Sequence, residues 1–148
     1  MKQRCGLTLI ELVLAVALIT IISAGFFITT RSDDRRTLYN ASVALQADLR
    51  YAQRRAITEG RRHSVVFDAI NQRYHILLHG TPGPIRTTYL PPGVTFQTVT
   101  AQQSRVIFLP RGTISGGFTV VLANQSYSRS LTGTVSGGRI ELFPIVQN

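Results

Sequence analysis

The stretch from Gly6 to Thr30 reads GLTLIELVLAVALITIISAGFFITT. After Glu11 it runs nineteen residues, Leu12 to Thr30, with neither a charge nor a proline. At roughly 1.5 Å per residue that is about 28 Å of helix. A bilayer's hydrocarbon core is about 30 Å thick, so a membrane-spanning helix is predicted over residues 7–30. Glu11 is out of place in it. A carboxylate drawn into lipid costs on the order of a few kcal/mol, and a charge set there needs a reason.

Gly6-Leu-Thr-Leu-Ile-Glu11, behind a short start carrying Lys2 and Arg4, resembles the precursors of type IV pilins and type II secretion pseudopilins. The resemblance implies a leader over residues 1–6 and cleavage between Gly6 and Leu7 by a membrane-embedded prepilin peptidase. It also implies N-methylation of the new Leu7 amine and a place for Glu11 in subunit assembly, where its carboxylate meets the α-amine of a neighbouring protomer. Two charges that are each costly in lipid become tolerable when paired. Major pilins usually begin with Phe, so Leu7 departs slightly from the pattern. The same residues also fit an ordinary secretory signal with a small-x-small site at Ser23-Ala24-Gly25, or a plain single-span anchor. Glu11 also has two plainer fates: snorkelling to the headgroups, or pairing with its own chain's Leu7 amine. Basic residues flank the span on both sides (Lys2 and Arg4; Arg31, Arg35 and Arg36), so orientation in the bacterial inner membrane, with the C-terminal domain in the periplasm, comes from the resemblance alone.

Beyond the span the pattern becomes amphipathic. Leu38, Ala41, Leu45, Leu49, Ala52 and Ala56 recur at three- and four-residue steps and fall within a fan of about 80° on a helix. Residues 31–60 are therefore read as a continuation of the helix with one narrow buried stripe. Ser32 or Asp33 offers a cap for a restart, Gly60 a stop, and Arg36, Arg50 and Arg54 lie on the opposite side. From residue 61 to 148 the period changes to two. Strands are predicted at 64–68, 73–78, 85–90, 94–99, 105–109, 118–123, 127–131 and 139–143, with a turn at Asn71-Gln72. Intervals of about ten residues point to antiparallel sheets, so the predicted fold is α+β: a long N-terminal helix packed on a small antiparallel β-sandwich.

Leu45 to Gly60, Val106-Ile-Phe-Leu-Pro-Arg-Gly112 and Ser136-Gly-Gly-Arg-Ile-Glu141 extend the resemblance to the minor pseudopilin H and FimT-like branch, a pilin-like fold. What it implies is a minor pseudopilin in a short periplasmic filament that exports proteins across the outer membrane, with other pseudopilins or pilins, the prepilin peptidase and the inner membrane as partners. The alternative it carries is a FimT-like minor pilin that captures DNA.

Charge bears on that choice. The chain has 16 basic and 7 acidic residues, a net charge of +9. Such an excess favours polyanions or acidic partners by long-range attraction. Arg36, Arg50, Arg54 and Arg139 are the candidate polyanion-binding residues. DNA-binding relatives carry Gly-Arg-x-Arg near the C-terminus, whereas Gly138-Arg139-Ile140-Glu141 has an acid at the second arginine. Few aromatics stand beside the arginines to stack on bases.

Other chemistry is not signalled. There is no Gly-x-Ser-x-Gly elbow or phosphate-binding glycine loop, and the single cysteine, Cys5, lies in the predicted leader. His75 and His79 on one strand face would sit about 13 Å apart, too far to share an ion. His63 is read as a loop residue, and Glu59 and Asp68 as solvated acids. An enzyme, a cofactor and a metal are therefore not expected. Asn40-Ala-Ser42 and Asn124-Gln-Ser126 match a glycosylation pattern that a bacterial leader makes accidental.

Overall fold

A computed structural model describes residues 9–135 and 137–148, without the side chains of 23–32. The chain divides into two units, Met1–Asp33 and Asp34–Asn148. Helix α1, Leu9–Glu59, contributes to both and runs uninterrupted through the position where a capped restart was offered. Gly60, at φ +62°, ends it in the left-handed conformation that glycine adopts without a Cβ penalty.

In the first unit the described side chains of α1 from Leu12 to Ile22 are apolar apart from Thr20. Leu12, Leu14, Val16, Leu18 and Ile21 are each more than half exposed. The Thr20 hydroxyl donates to the Ala17 carbonyl at 2.7 Å, which satisfies it without water. Among the described residues no helix is long and apolar enough to cross a membrane. The expected span reaches Thr30, and residues 23–30 of it lie outside the described side chains.

The second unit is α+β. β1 (His63–Asp68), β2 (Arg73–Leu78), β3 (Arg86–Tyr89) and β5 (Arg105–Phe108) form an antiparallel sheet ordered β3-β2-β1-β5. β4 (Thr95–Thr100), β6 (Phe118–Ala123), β7 (Tyr127–Gly133) and β8 (Ile140–Leu142) form a second, ordered β4-β6-β7-β8. β9 (Val146–Gln147) lies with β8 along the edge of β7 that β6 leaves open. All of the predicted stripe, Leu38 to Ala56, is buried, in one cluster with Val65, Phe67 and Phe108 of the first sheet and Phe118, Val120 and Leu131 of the second. Phe67 meets Phe96 edge-on across the sheets, with ring centroids 5.7 Å apart.

Each predicted strand is present, with ends displaced by one or two residues where turns intervene. Val94 and Leu90, for example, spend their N–H groups on Pro91 and Gln72 carbonyls and stand outside the strands. β9 and a 3-10 turn at Gln102–Ser104 were not anticipated. Asn124 is committed to the fold. Its Oδ1 accepts the Ser126 and Tyr127 N–H groups and its Nδ2 donates to the Asp34 carbonyl of α1 at 2.8 Å.

Two acids read as solvated are in fact engaged. Asp68 accepts from the Asn71 backbone and side chain and from Arg73 Nε at 2.9 Å. The Asn71 bonds first, and Arg73 after them, hold its carboxyl down at about 2. Because the folded value is lowered, this contribution is fully present above the ordinary carboxylate value of about 4 and is lost as pH falls toward 2. We therefore expect Asp68→Asn to be less stable than the parent at pH 5 and the gap to narrow by pH 2. Thermal unfolding at the two pH values checks this, and a constant gap would refute it.

Candidate functional site

Two glycine-bearing turns converge on one face of α1. The turn after β5 closes with the Gly112 N–H on the Leu109 carbonyl at 2.8 Å, presenting the Gly112 carbonyl to the helix. The turn before β8 presents the Gly138 carbonyl. Gln53 donates to both, at 2.6 and 2.8 Å, using both protons of its amide. About two turns earlier, Gln46 reaches the Ile140 carbonyl at 3.4 Å. The helix segment and the two loops whose sequences carried the family resemblance therefore meet at Gln53.

Above this seam lies an open groove of about 1160 Å³ between α1 and residues 137–144. Arg50 and Arg54 stand on one wall and Arg139 on the other, with Val43, Ala47 and Phe143 supplying apolar surface. The structure thus brings together three of the four candidate polyanion-binding arginines, from positions more than eighty residues apart. Arg36 is exposed on α1 but does not line the groove. Nor are the three equivalent. Arg139 Nε lies 2.9 Å from Glu141 Oε1, so its charge is balanced internally, whereas Arg50 and Arg54 have no acidic partner among the described residues.

The seam is reinforced by residues that the sequence reading missed. Asp48, nearly fully buried, accepts from the Tyr74 hydroxyl at 2.7 Å, Arg86 Nη1 at 2.9 Å and Thr88 Oγ1 at 3.3 Å, tying α1 to β2 and β3. Burial, and then the Asp48 carboxylate, push the Tyr74 phenol well above its ordinary value. At the other side Arg129 lies over the Tyr39 ring at 4.9 Å and donates to Ser42 Oγ and the Phe143 carbonyl. Burial lowers its affinity for its proton.

His63 is not a loop residue. It opens β1 with its side chain fully buried, Nδ1 3.2 Å from the Arg61 carbonyl and Nε2 3.2 Å from Glu59 Oε2. Glu59, also paired with Arg55 at 2.7 Å, thereby closes the end of α1 onto the first strand. His75 contacts Thr87 Oγ1 at 2.8 Å on β3.

Of the N-terminal site, Gly6 and Leu7 lie outside the described residues. Glu11 is exposed in the first turn of α1, where a negative charge faces the positive end of the helix dipole.

Comparison with known proteins places these features. Residues 41–138 match the family model described as type II transport protein GspH. The chain belongs to the GspH family. Residues 1–27 match the prokaryotic N-terminal methylation motif. Among solved structures, the type IV minor pilin FimU of Pseudomonas aeruginosa superposes with a TM-score of 0.59 at 22% identity, covering 74% of this chain and 90% of that one. The minor pseudopilin EpsH from the type II secretion system of Vibrio cholerae superposes with TM-scores of 0.58 and 0.60 in two structures, at 16% and 14% identity. Those two alignments cover 72% and 76% of this chain and 95% and 97% of that one. Curated proteins offer no match. The fold of this GspH-family chain is thus pilin-like, a helix packed on antiparallel sheets.

Proposed function

We propose that this GspH-family chain is a minor pseudopilin of a type II secretion pseudopilus, anchored in the inner membrane with its β-rich unit in the periplasm and built into a filament beside other pseudopilins. The observation that supports it most is the GspH match over residues 41–138 joined to a methylation motif over 1–27, on a chain whose helix begins with exposed apolar residues interrupted by one acid. A continuous apolar surface of that kind marks a lipid or partner-helix interface. Prepilin peptidase would cut after Gly6 and methylate Leu7, and Glu11 would receive a neighbour's amine.

Glu11→Ala is expected to insert and be processed normally but to co-purify with partner pseudopilins several-fold less. Undiminished co-purification would remove the assembly role. N-terminal sequencing of the cell-purified protein should begin at Leu7.

DNA capture by a FimT-like minor pilin is the second reading, supported by Arg50 and Arg54 standing unpaired in the groove. Arg139, held by Glu141, is a poor third contact. Each phosphate neutralised contributes about −0.9 to the slope of log K against log salt, so binding through Arg50 and Arg54 alone predicts a slope near −2 for duplex DNA. A mobility shift of residues 31–148 across a salt titration distinguishes the readings. Absence of any shift at low salt eliminates DNA capture, and a slope of that size abolished by Arg50→Gln with Arg54→Gln establishes it.

A further inference from the structure

The outer face of the first sheet, away from the core, carries a second, smaller concavity. β1 turns Ser64 and Val66 outward, β2 turns His75 and Leu77, and β5 turns Arg105 and Ile107, each opposite to the buried Val65, Ile76 and Val106. Register sets Ile107 and Leu77 on either side of Ser64, and Arg105 and His75 on either side of Val66. Just before β1 the His79 N–H donates to the Arg62 carbonyl at 3.0 Å, which brings those two residues side by side. Arg62, Ser64, His79 and Arg105, with Ile107 and the edge of His63, line a small cavity of about 110 Å³. Next to it, sharing Arg105 as a wall, lies a hollow of about 220 Å³ lined by Val66, Leu77, Pro84 and His75.

The first cavity is lined by two arginines, two histidines, a serine and an isoleucine, with no acidic residue in its lining. From Asp48 onward every acid is engaged: Asp48 by Arg86, Glu59 by Arg55 and His63, Asp68 by Arg73, Glu141 by Arg139. Arg62 and Arg105 have no ion pair among the described residues. Two arginines without ion pairs beside one small space favour an anion there, and the guanidinium fork matches a planar carboxylate with paired hydrogen bonds. At about 30 Å³ per water, the cavity holds a few waters' worth of volume, enough for a carboxylate and too little for a nucleobase.

The adjoining hollow decides the occupant. Its walls are chiefly aliphatic, so an inorganic anion or a phosphodiester strand would leave it empty. A chain terminus ending in an aliphatic residue carries a carboxylate and an apolar side chain on the same Cα, and fills both spaces at once. We propose that these paired cavities capture the free C-terminal carboxylate of a partner polypeptide whose last residue is aliphatic. The proposal is independent of whether the filament belongs to a secretion system or a pilus.

The test uses the full chain in detergent micelles and acetyl-Gly-Ser-Gly-Leu with a free C-terminus, titrated by calorimetry. The matching C-terminal amide should bind at least tenfold more weakly, and a Gly-terminated acid several-fold more weakly. Arg62→Gln and Arg105→Gln should each weaken the acid about tenfold, while Arg111→Gln leaves it unchanged. Both arginines are at the surface, and thermal unfolding of each variant verifies that it is folded; Arg105→Lys, which keeps the charge but loses the fork, should fall between. Failure of the acid to bind, equal binding of acid and amide, or indifference to Arg105→Gln overturns the proposal. So does equal binding of the Gly-terminated acid with displacement by inorganic phosphate, which would reduce the site to an anion hole.

Discussion

Asp48→Ala is expected to lower the stability of the Asp34–Asn148 unit by about 2–3 kcal/mol, or a melting temperature shift of about 10 °C for a domain of this size. The carboxylate takes hydrogen bonds from Tyr74, Arg86 and Thr88, and its loss removes the acceptor of the hydroxyl of Tyr74, a residue that is 1% exposed. Arg86 is half exposed and finds water again, so most of the cost falls on the phenol. Tyr74→Phe should therefore cost little in the Asp48→Ala background, giving a coupling of about 1 kcal/mol in a double-mutant cycle. A loss below about 0.5 kcal/mol for Asp48→Ala would show that the network is solvated.

The same pair sets an alkaline limit. The raised Tyr74 phenol stays protonated in the folded state while the unfolded one ionises near its ordinary value of about 10. Above that pH the unfolded state binds fewer protons, so this contribution, complete below about pH 10, declines as pH rises further. Tyr74→Phe should flatten that part of the stability profile, as measured by denaturant unfolding between pH 8 and 11.

Gly138→Ala is expected to be comparably damaging, at about 2–3 kcal/mol. Gly138 has φ +60°, and a Cβ there would overlap the Gly112 carbonyl oxygen and Gln53 Nε2. One residue would thus strain its own backbone and open the clamp that holds two loops on α1. Gln53→Ala, which removes only the clamp, should cost about 1–2 kcal/mol, and the double variant should lose less than the sum because both act on one contact. Full additivity in thermal unfolding would show that Gly138 and Gln53 act separately.

Periodicity made the helix stripe and the strand bodies legible, because Leu38 through Ala56 and the alternation within β1 and β2 each report one buried face. β9 escaped, since two residues cannot show an alternation. His63 was read as a loop residue because it stands just before the strand predicted from 64, whereas it opens β1 and its Nε2 meets Glu59 at the end of α1. Asp48 could have been found. It stands three residues after Leu45 and four before Ala52, inside the apolar stripe, where an acid must have a partner. That partner lies 26 residues away on β2, beyond the reach of local pattern. Likewise Gly138 stood out for the motif it nearly completes, whereas its place in the fold is set by the Gly112 carbonyl it lies against. Arg36, Arg50 and Arg54 were read as one side of the helix and Arg139 apart from them; only the folded chain showed that Arg139 shares a groove with Arg50 and Arg54 and that Arg36 does not.

Between Tyr89 and Phe118 the chain passes from one sheet to the other three times, as β3, β4, β5 and β6 alternate between them. Neither layer is a contiguous piece of polypeptide, so neither can detach while its mate stays intact. Amide protons of β1 and of β6 should consequently exchange with solvent through the same global opening. A subunit of this kind would withstand handling as a whole or come apart as a whole, with no half-opened form to expose a sheet edge.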